Sequence, residues 1–172
     1  ETIQRLLNTE VARKLLAGDT LPDAGKRKVA DLVGQYSTNV GNALAEAVDE
    51  EKNSDGAGKK TLKRRVTFGR SEFQKMAKTL EAASDNKYVR AGSNRVRGDE
   101  AKALGDYKDA IDHFTKWRDA LLEISGGKTT VEVADSLAVL GDAYQEQGMY
   151  PESMECLEKA LEVQLKELGE EH

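Results

Sequence analysis

The pattern Gly98-(x6)-Gly105-x-Tyr107-xx-Ala110 recurs as Gly141-(x6)-Gly148-x-Tyr150-xx-Ser153, with every member displaced by 43 positions. Self-similarity at a period of a few tens of residues marks stacked units that share one continuous core. It therefore constrains the architecture more than any single residue does. It also directs the search for function to an extended surface instead of a catalytic pocket.

The units are read as helical. Two prolines, 5% aromatic and 33% charged residues describe a chain dominated by helix formers, which sets the class as all-α. A net charge of −5 argues against wholesale nucleic-acid binding. Its distribution is uneven: residues 59–70 carry Lys59, Lys60, Lys63, Arg64, Arg65 and Arg70 with no acid, whereas residues 151–172 carry seven glutamates against Lys159 and Lys166. Cys156 is the single cysteine and has no partner for an internal disulfide, which favours a reducing compartment. With no signal-peptide pattern and no apolar run of membrane-spanning length, the expected location is cytoplasmic. The chain opens at Glu1 and closes in charged residues after a helix, so it reads as a piece of something longer.

Ile3, Leu6, Leu7, Val11, Leu15 and Leu16 fall on one helical stripe that ends before a Leu-Pro turn at 21–22. Val29, Val33, Tyr36, Val40, Ala43 and Ala47 follow at heptad spacing on a second helix, either inside a bundle or in an independent coiled coil. The segment 1–52 is expected to be a helical hairpin or bundle. Residues 53–60, small and polar, read as a flexible linker or loop. Residues 61–86 read as a connecting basic helix, with Leu62, Val66, Phe73, Met76, Ala77 and Leu80 at helical spacing and Gly69 as an interruption that either splits the helix or merely weakens it.

The clearest unit lies in 130–172. Leu137, Leu140, Gly141 and Tyr144 mark one face of a first helix, Gly148 ends it, and Pro151 suits the first turn of a second. The second helix is expected to bury Met154, Leu157, Ala160, Leu161 and Leu165. Small residues at Gly141, Ser153 and Ala160 suit two closely crossing helices.

Leu140-Gly141-(x2)-Tyr144-(x3)-Gly148-x-Tyr150, followed by Leu157 and Ala160, resembles a tetratricopeptide repeat. The run from Ala134 through Ala160 to Leu168-Gly169-Glu170-Glu171-His172 is similar to the longer kinesin-light-chain type, whose period of about 42 residues fits the 43 seen here. The earlier copy, 87–129, is atypical: Trp117 stands where the next copy has Ala160, and Arg97 where it has Leu140. A tryptophan at a close crossing is expected to widen it, as in a cap or junction. The N-terminal half resembles no family.

Several fragments imitate chemical motifs. Gly127-Lys128-Thr129 ends like a phosphate loop, but Leu122 replaces its first glycine and the segment follows a helix, so it reads as a helix cap and turn. Gly56 to Thr61 has the composition of such a loop without its spacing, and Asn53-x-Asp55-Gly56 lacks calcium ligands at both ends. His113 and His172 are far apart and, with Cys156, show no metal-ligand spacing. His113 reads as a helix-surface residue, and Cys156 as a packing residue or exposed thiol. No nucleophile is paired with a base. Neither catalysis, a cofactor nor a metal is expected.

The basic run is either a solvated helix face or an attachment point for anionic lipid, tubulin or nucleic acid. Membranes and nucleic acids are not the expected partners. Arg64-Arg65-Val66-Thr67 also resembles a basophilic-kinase site at Thr67.

The resemblance implies that the first helix of each unit lines a groove for a partner peptide. The corresponding positions are Arg95, Asp99, Lys102, Asp135, Ala138, Asp142, Gln145 and Glu146. Asp99 and Asp142 stand where carboxylate-clamping relatives use asparagine, so capture of a terminal carboxylate is disfavoured and a lysine- or arginine-bearing ligand is preferred. The expected function is a non-catalytic adaptor or scaffold, with a motor-cargo connection by family analogy. The alternatives are a sensor region of a larger signalling ATPase, or attachment through residues 59–70.

Overall fold

The computed structural model describes residues 23–54, 56, 58–81 and 87–170, and the stripe from Ile3 to Leu16 lies outside them. Among the described residues the chain forms six helices: α1 (Asp23–Asn53), α2 (Gly58–Glu81), α3 (Lys87–Ala103), α4 (Tyr107–Ile124), α5 (Val131–Glu146) and α6 (Tyr150–Glu170). They pack as three successive antiparallel pairs, α1 on α2, α3 on α4 and α5 on α6, with α1 and α2 also against α3, and α4 against α5. No described helix is long and apolar enough to cross a membrane.

The 43-residue echo is visible in the backbone. After α3, Asp106 N–H donates to Ala101 O and Gly105 N–H to Lys102 O; after α5, Met149 N–H donates to Tyr144 O and Gly148 N–H to Gln145 O. Gly105 and Gly148 take φ of +80° and +81°, which closes both turns in the left-handed region where a glycine carries no Cβ penalty. Asp106 caps α4 by accepting from the Asp109 N–H, and Thr130 caps α5 by accepting from that of Val133. Gly126 and Gly127, also at positive φ, end α4, so the Gly127-Lys128-Thr129 segment is an inter-unit turn. Gly169, at the equivalent position one period later, stays within α6.

The pair α1–α2 repeats the same packing device with different spacing. A Cβ on Gly98 would meet Phe114, one on Gly141 would meet Leu157, and one on Gly41 would approach Phe73. Gly69, Phe73 and Met76 on α2 thus match Ala110, Phe114 and Trp117 on α4, and Ser153, Leu157 and Ala160 on α6. From Gly41 to Gly69 is 28 residues, whereas Gly98 to Ala110 and Gly141 to Ser153 are 12 each. The surplus is shared between the two helices, so α1 and α2 project about 12 Å beyond the later turns at ~1.5 Å per residue.

Three sequence expectations change here. Gly69 does not interrupt α2; its bare Cα lets the Leu44 side chain approach, and a Cβ there would lie only 3.1 Å from Leu44 Cδ1. The break at 53–60 narrows, because α1 runs through Asn53 and α2 begins at Gly58. The heptad seam drifts: Val33, Leu44 and Ala47 are buried while Ala43 is exposed, as the 3.6-residue turn of a straight helix rotates a 3.5-residue pattern out of register.

Two apolar clusters form the core. Val33, Leu44, Phe73, Met76, Val89, Val96 and Ala103 join α1, α2 and α3, while Ala91, Ala101, Phe114, Trp117, Leu137, Leu140, Cys156 and Ala160 join α3 to α6. Trp117 is 5% exposed, 6.2 Å from Phe114 in a tilted pair, with the Arg95 guanidinium over its indole at 4.9 Å. It is buried in the cluster that joins the units and that also holds the small Ala91 and Ala134.

On α6 the sequence reading is corrected. Ser153, Cys156 and Ala160 are buried, whereas Met154, Leu161 and Leu165 are 61%, 53% and 58% exposed. The close crossing at Gly141 takes small residues, and the large ones turn away with Tyr150 and Leu168 into an exposed apolar stripe. Serine at Leu161 or Leu165 is therefore expected to change unfolding free energy by less than about 0.5 kcal/mol. Urea unfolding checks this; a loss above about 2 kcal/mol, the scale of a core truncation, would contradict it.

Candidate functional site

The first helix of each pair contributes to one face. α1 and α3 run side by side in the same direction, with Gly34 facing Arg95 and Gly41 facing Asp99. Lys102 of α3 reaches Asp142 of α5 at 3.8 Å, and Arg27 of α1 pairs with Glu132 of α5. Between the three helices lies a cleft of about 360 Å³ whose walls include Thr38, Asn42 and Ala45 of α1, Asp99, Lys102 and Ala103 of α3, and Val139, Asp142 and Glu146 of α5.

Of the eight groove positions inferred from sequence, the cleft gathers Asp99, Lys102, Asp142 and Glu146. Arg95 is turned towards α1 instead. It donates to Thr38 Oγ1 at 3.0 Å, and a Cβ at Gly34 would lie 2.5 Å from its Nη1. Asp135 is exposed, with its carboxyl pushed up by partial burial and held down by Arg95. Ala138 packs beside the core, and Gln145 is exposed outside the cleft walls. Sequence reasoning missed Thr38, Asn42 and Ala45, because α1 was not recognised as an equivalent of α3 and α5.

Asp99 is 8% exposed. Ser37 Oγ donates to its Oδ2 at 2.7 Å, and Thr38 Oγ1 to the same oxygen at 3.5 Å. Burial raises its pKa from 3.8 to about 6 against the lowering influence of Ser37, Arg95, Lys102 and Thr38. Tyr107 is also pushed up, by burial and then by Glu146 and Asp49.

The basic segment lies on α2. Lys59, Lys63, Arg64, Arg65 and Arg70 are exposed, and the side chain of Lys60 lies outside the described residues. Arg65 pairs with Glu50 at 2.8 Å and Arg70 approaches Glu100 at 4.0 Å, so neighbouring helices offset part of the charge. Thr67 is exposed in mid-helix, with its hydroxyl donating to Lys63 O.

Asp109, Asp112 and His113 lie within 4.8 Å of one another on α4 and are the metal-like cluster among the described residues. All three come from one helix face, and Lys116 holds Asp112 at 2.6 Å. His113 Nδ1 is buried without a partner among the described residues, and burial lowers the imidazole pKa. Cys156 is buried, and burial pushes its thiol pKa up, which fits a packing residue.

Residues 100–166 match the family model of the tetratricopeptide repeat, a span that covers α4, α5 and most of α6 but neither α1 nor α2. That stretch of the chain is thus similar to a tetratricopeptide repeat, a kind of repeat that generally mediates protein–protein interaction. Neither a curated protein nor a solved structure matches the chain.

Proposed function

We propose that the chain is a non-catalytic scaffold or adaptor whose partner segment lies in the groove along α1, α3 and α5. The observation that carries this reading is the cleft itself: consecutive units place polar and charged side chains around a space of about 360 Å³, within the ~300–1,000 Å³ range of ligand pockets. The kinesin-light-chain-like subtype is supported by the 43-residue period and the Leu168–His172 run, a motor-cargo role by analogy with that family, and a cytoplasmic location by the single cysteine Cys156. Attachment through the α2 basic segment is the weaker reading because Glu50 and Glu100 face two of its arginines.

Charge reversal tests the groove. Asp142→Lys with Glu146→Lys, both at exposed positions, is expected to reduce capture of the partner by the full chain at least about tenfold, since each like-charge juxtaposition costs roughly a kcal/mol or more. A quantitative pull-down reads this. Capture that ignores the reversal would remove the groove from the reading.

A further inference from the structure

The cleft holds more negative than positive charge, and Asp99 is its most buried acid. Both hydrogen bonds to Asp99 end on Oδ2; among the described residues Oδ1 accepts none, and the side chain lines the cleft. Among those residues no cation pairs with it directly. Arg95 is held by Thr38 and the Trp117 face, and Lys102 by Asp142. On the opposite wall stands Glu146, at an exposed position. Burial outweighs the pull of Arg95 and Lys102 on the Asp99 carboxylate, and a cation delivered from outside relieves the remainder.

We propose that this cleft is a socket for one lysine or arginine side chain of the partner segment, with its cation seated between Asp99, Asp142 and Glu146. The methyl groups of Ala45, Ala103 and Val139 supply the apolar wall against which the aliphatic stem packs. The socket rests on the groove reading above and specifies its ligand.

Occupancy is coupled to a proton. Ser37 and Thr38 of α1, Arg95 and Lys102 of α3, and Asp142 and Glu146 of α5 are the polar and charged groups around Asp99. The cation favours ionised Asp99, so ligand and proton compete. With a pKa of about 6, about one Asp99 in ten is ionised at pH ~5, and binding there is about tenfold weaker than at neutral pH.

The test is an amide chemical-shift titration of the isotopically labelled full chain with three acetylated, amidated pentapeptides, Ala-Ala-X-Ala-Ala, where X is lysine, arginine or norleucine. The lysine and arginine peptides are expected to shift amides of residues 38–45, 99–103 and 142–146, and the norleucine peptide to leave them in place. In Asp99→Asn the lysine peptide is expected to bind more weakly at neutral pH and to lose the tenfold pH dependence. Asp142→Asn, at an exposed position, is expected to weaken binding while keeping it. Equal binding of norleucine, shifts confined to other residues, or pH dependence that survives in Asp99→Asn would overturn the socket. Potassium or magnesium chloride reproducing the same shifts at equal strength would overturn it in favour of an inorganic-cation site. If partner capture depends on Asp142 and Glu146 while the lysine peptide shifts nothing, the socket fails and the groove stands. If the lysine peptide shifts the cleft while capture ignores the reversal, the socket stands and the groove reading fails.

Discussion

Gly98→Ala is expected to destabilise the chain by about 1–3 kcal/mol, the usual range for overpacking a filled core. The added methyl would sit 2.5 Å from Phe114 Cδ1 and closer still to Cε1. Phe114 is 0% exposed, so its ring has no open space to move into. Gly41→Ala makes the opposite case at the equivalent position of the first pair. Its nearest atom would be Asp99 O at 3.5 Å, an ordinary contact, and the helix-propensity gain of up to about 1 kcal/mol is then retained. Gly141→Ala falls between them, because Leu157, whose Cγ would be 2.8 Å away, is only half buried and has room to rotate. Urea unfolding of the three variants gives the order. A Gly98 variant as stable as the Gly41 variant would mean that the α3–α4 crossing is looser than the structure places it.

Asp99→Asn is expected to change how stability depends on pH. The folded carboxyl titrates at about 6, above its ordinary 3.8, so its favourable contribution is fully present below pH 3.8 and is lost as pH rises through 6. A shift of about two units corresponds to about 2–3 kcal/mol at ~1.36 kcal/mol per unit. Asparagine still accepts from Ser37 and carries no charge. The variant is therefore expected to match the wild type near pH 4 and to exceed it by up to that amount near pH 7. Comparing both chains at both pH values isolates the group from all other titrations. A constant gap would show that Asp99 is not the residue responsible.

The last four helices were legible because a fixed 43-residue displacement repeats both their glycine turns and their close crossings. The first pair escaped for a reason that is also physical. Gly41, Gly69, Phe73 and Met76 have the right order, but the 28-residue gap breaks the period that a fixed-offset comparison relies on. Without α1, Arg95 read as a groove residue, whereas Gly34 leaves the space that lets it turn towards Thr38. On α6 the sequence reads Ser153 and Ala160 at the close crossing, where both are buried. It also turns Met154, Leu161 and Leu165 inward, and those three are exposed because the crossing takes the small residues.

α3 is the helix on which the two halves depend. Val89, Val96 and Ala103 belong to one cluster, and Ala91 and Ala101 to the other. A cut before Lys87, where the sequence placed a domain boundary, would strip one side of α3 of its cover and leave those three apolar residues facing water. The N-terminal pair and the repeats that follow therefore share α3 as a common wall, and removing that pair would require α3 to exchange Val89, Val96 and Ala103 for polar residues.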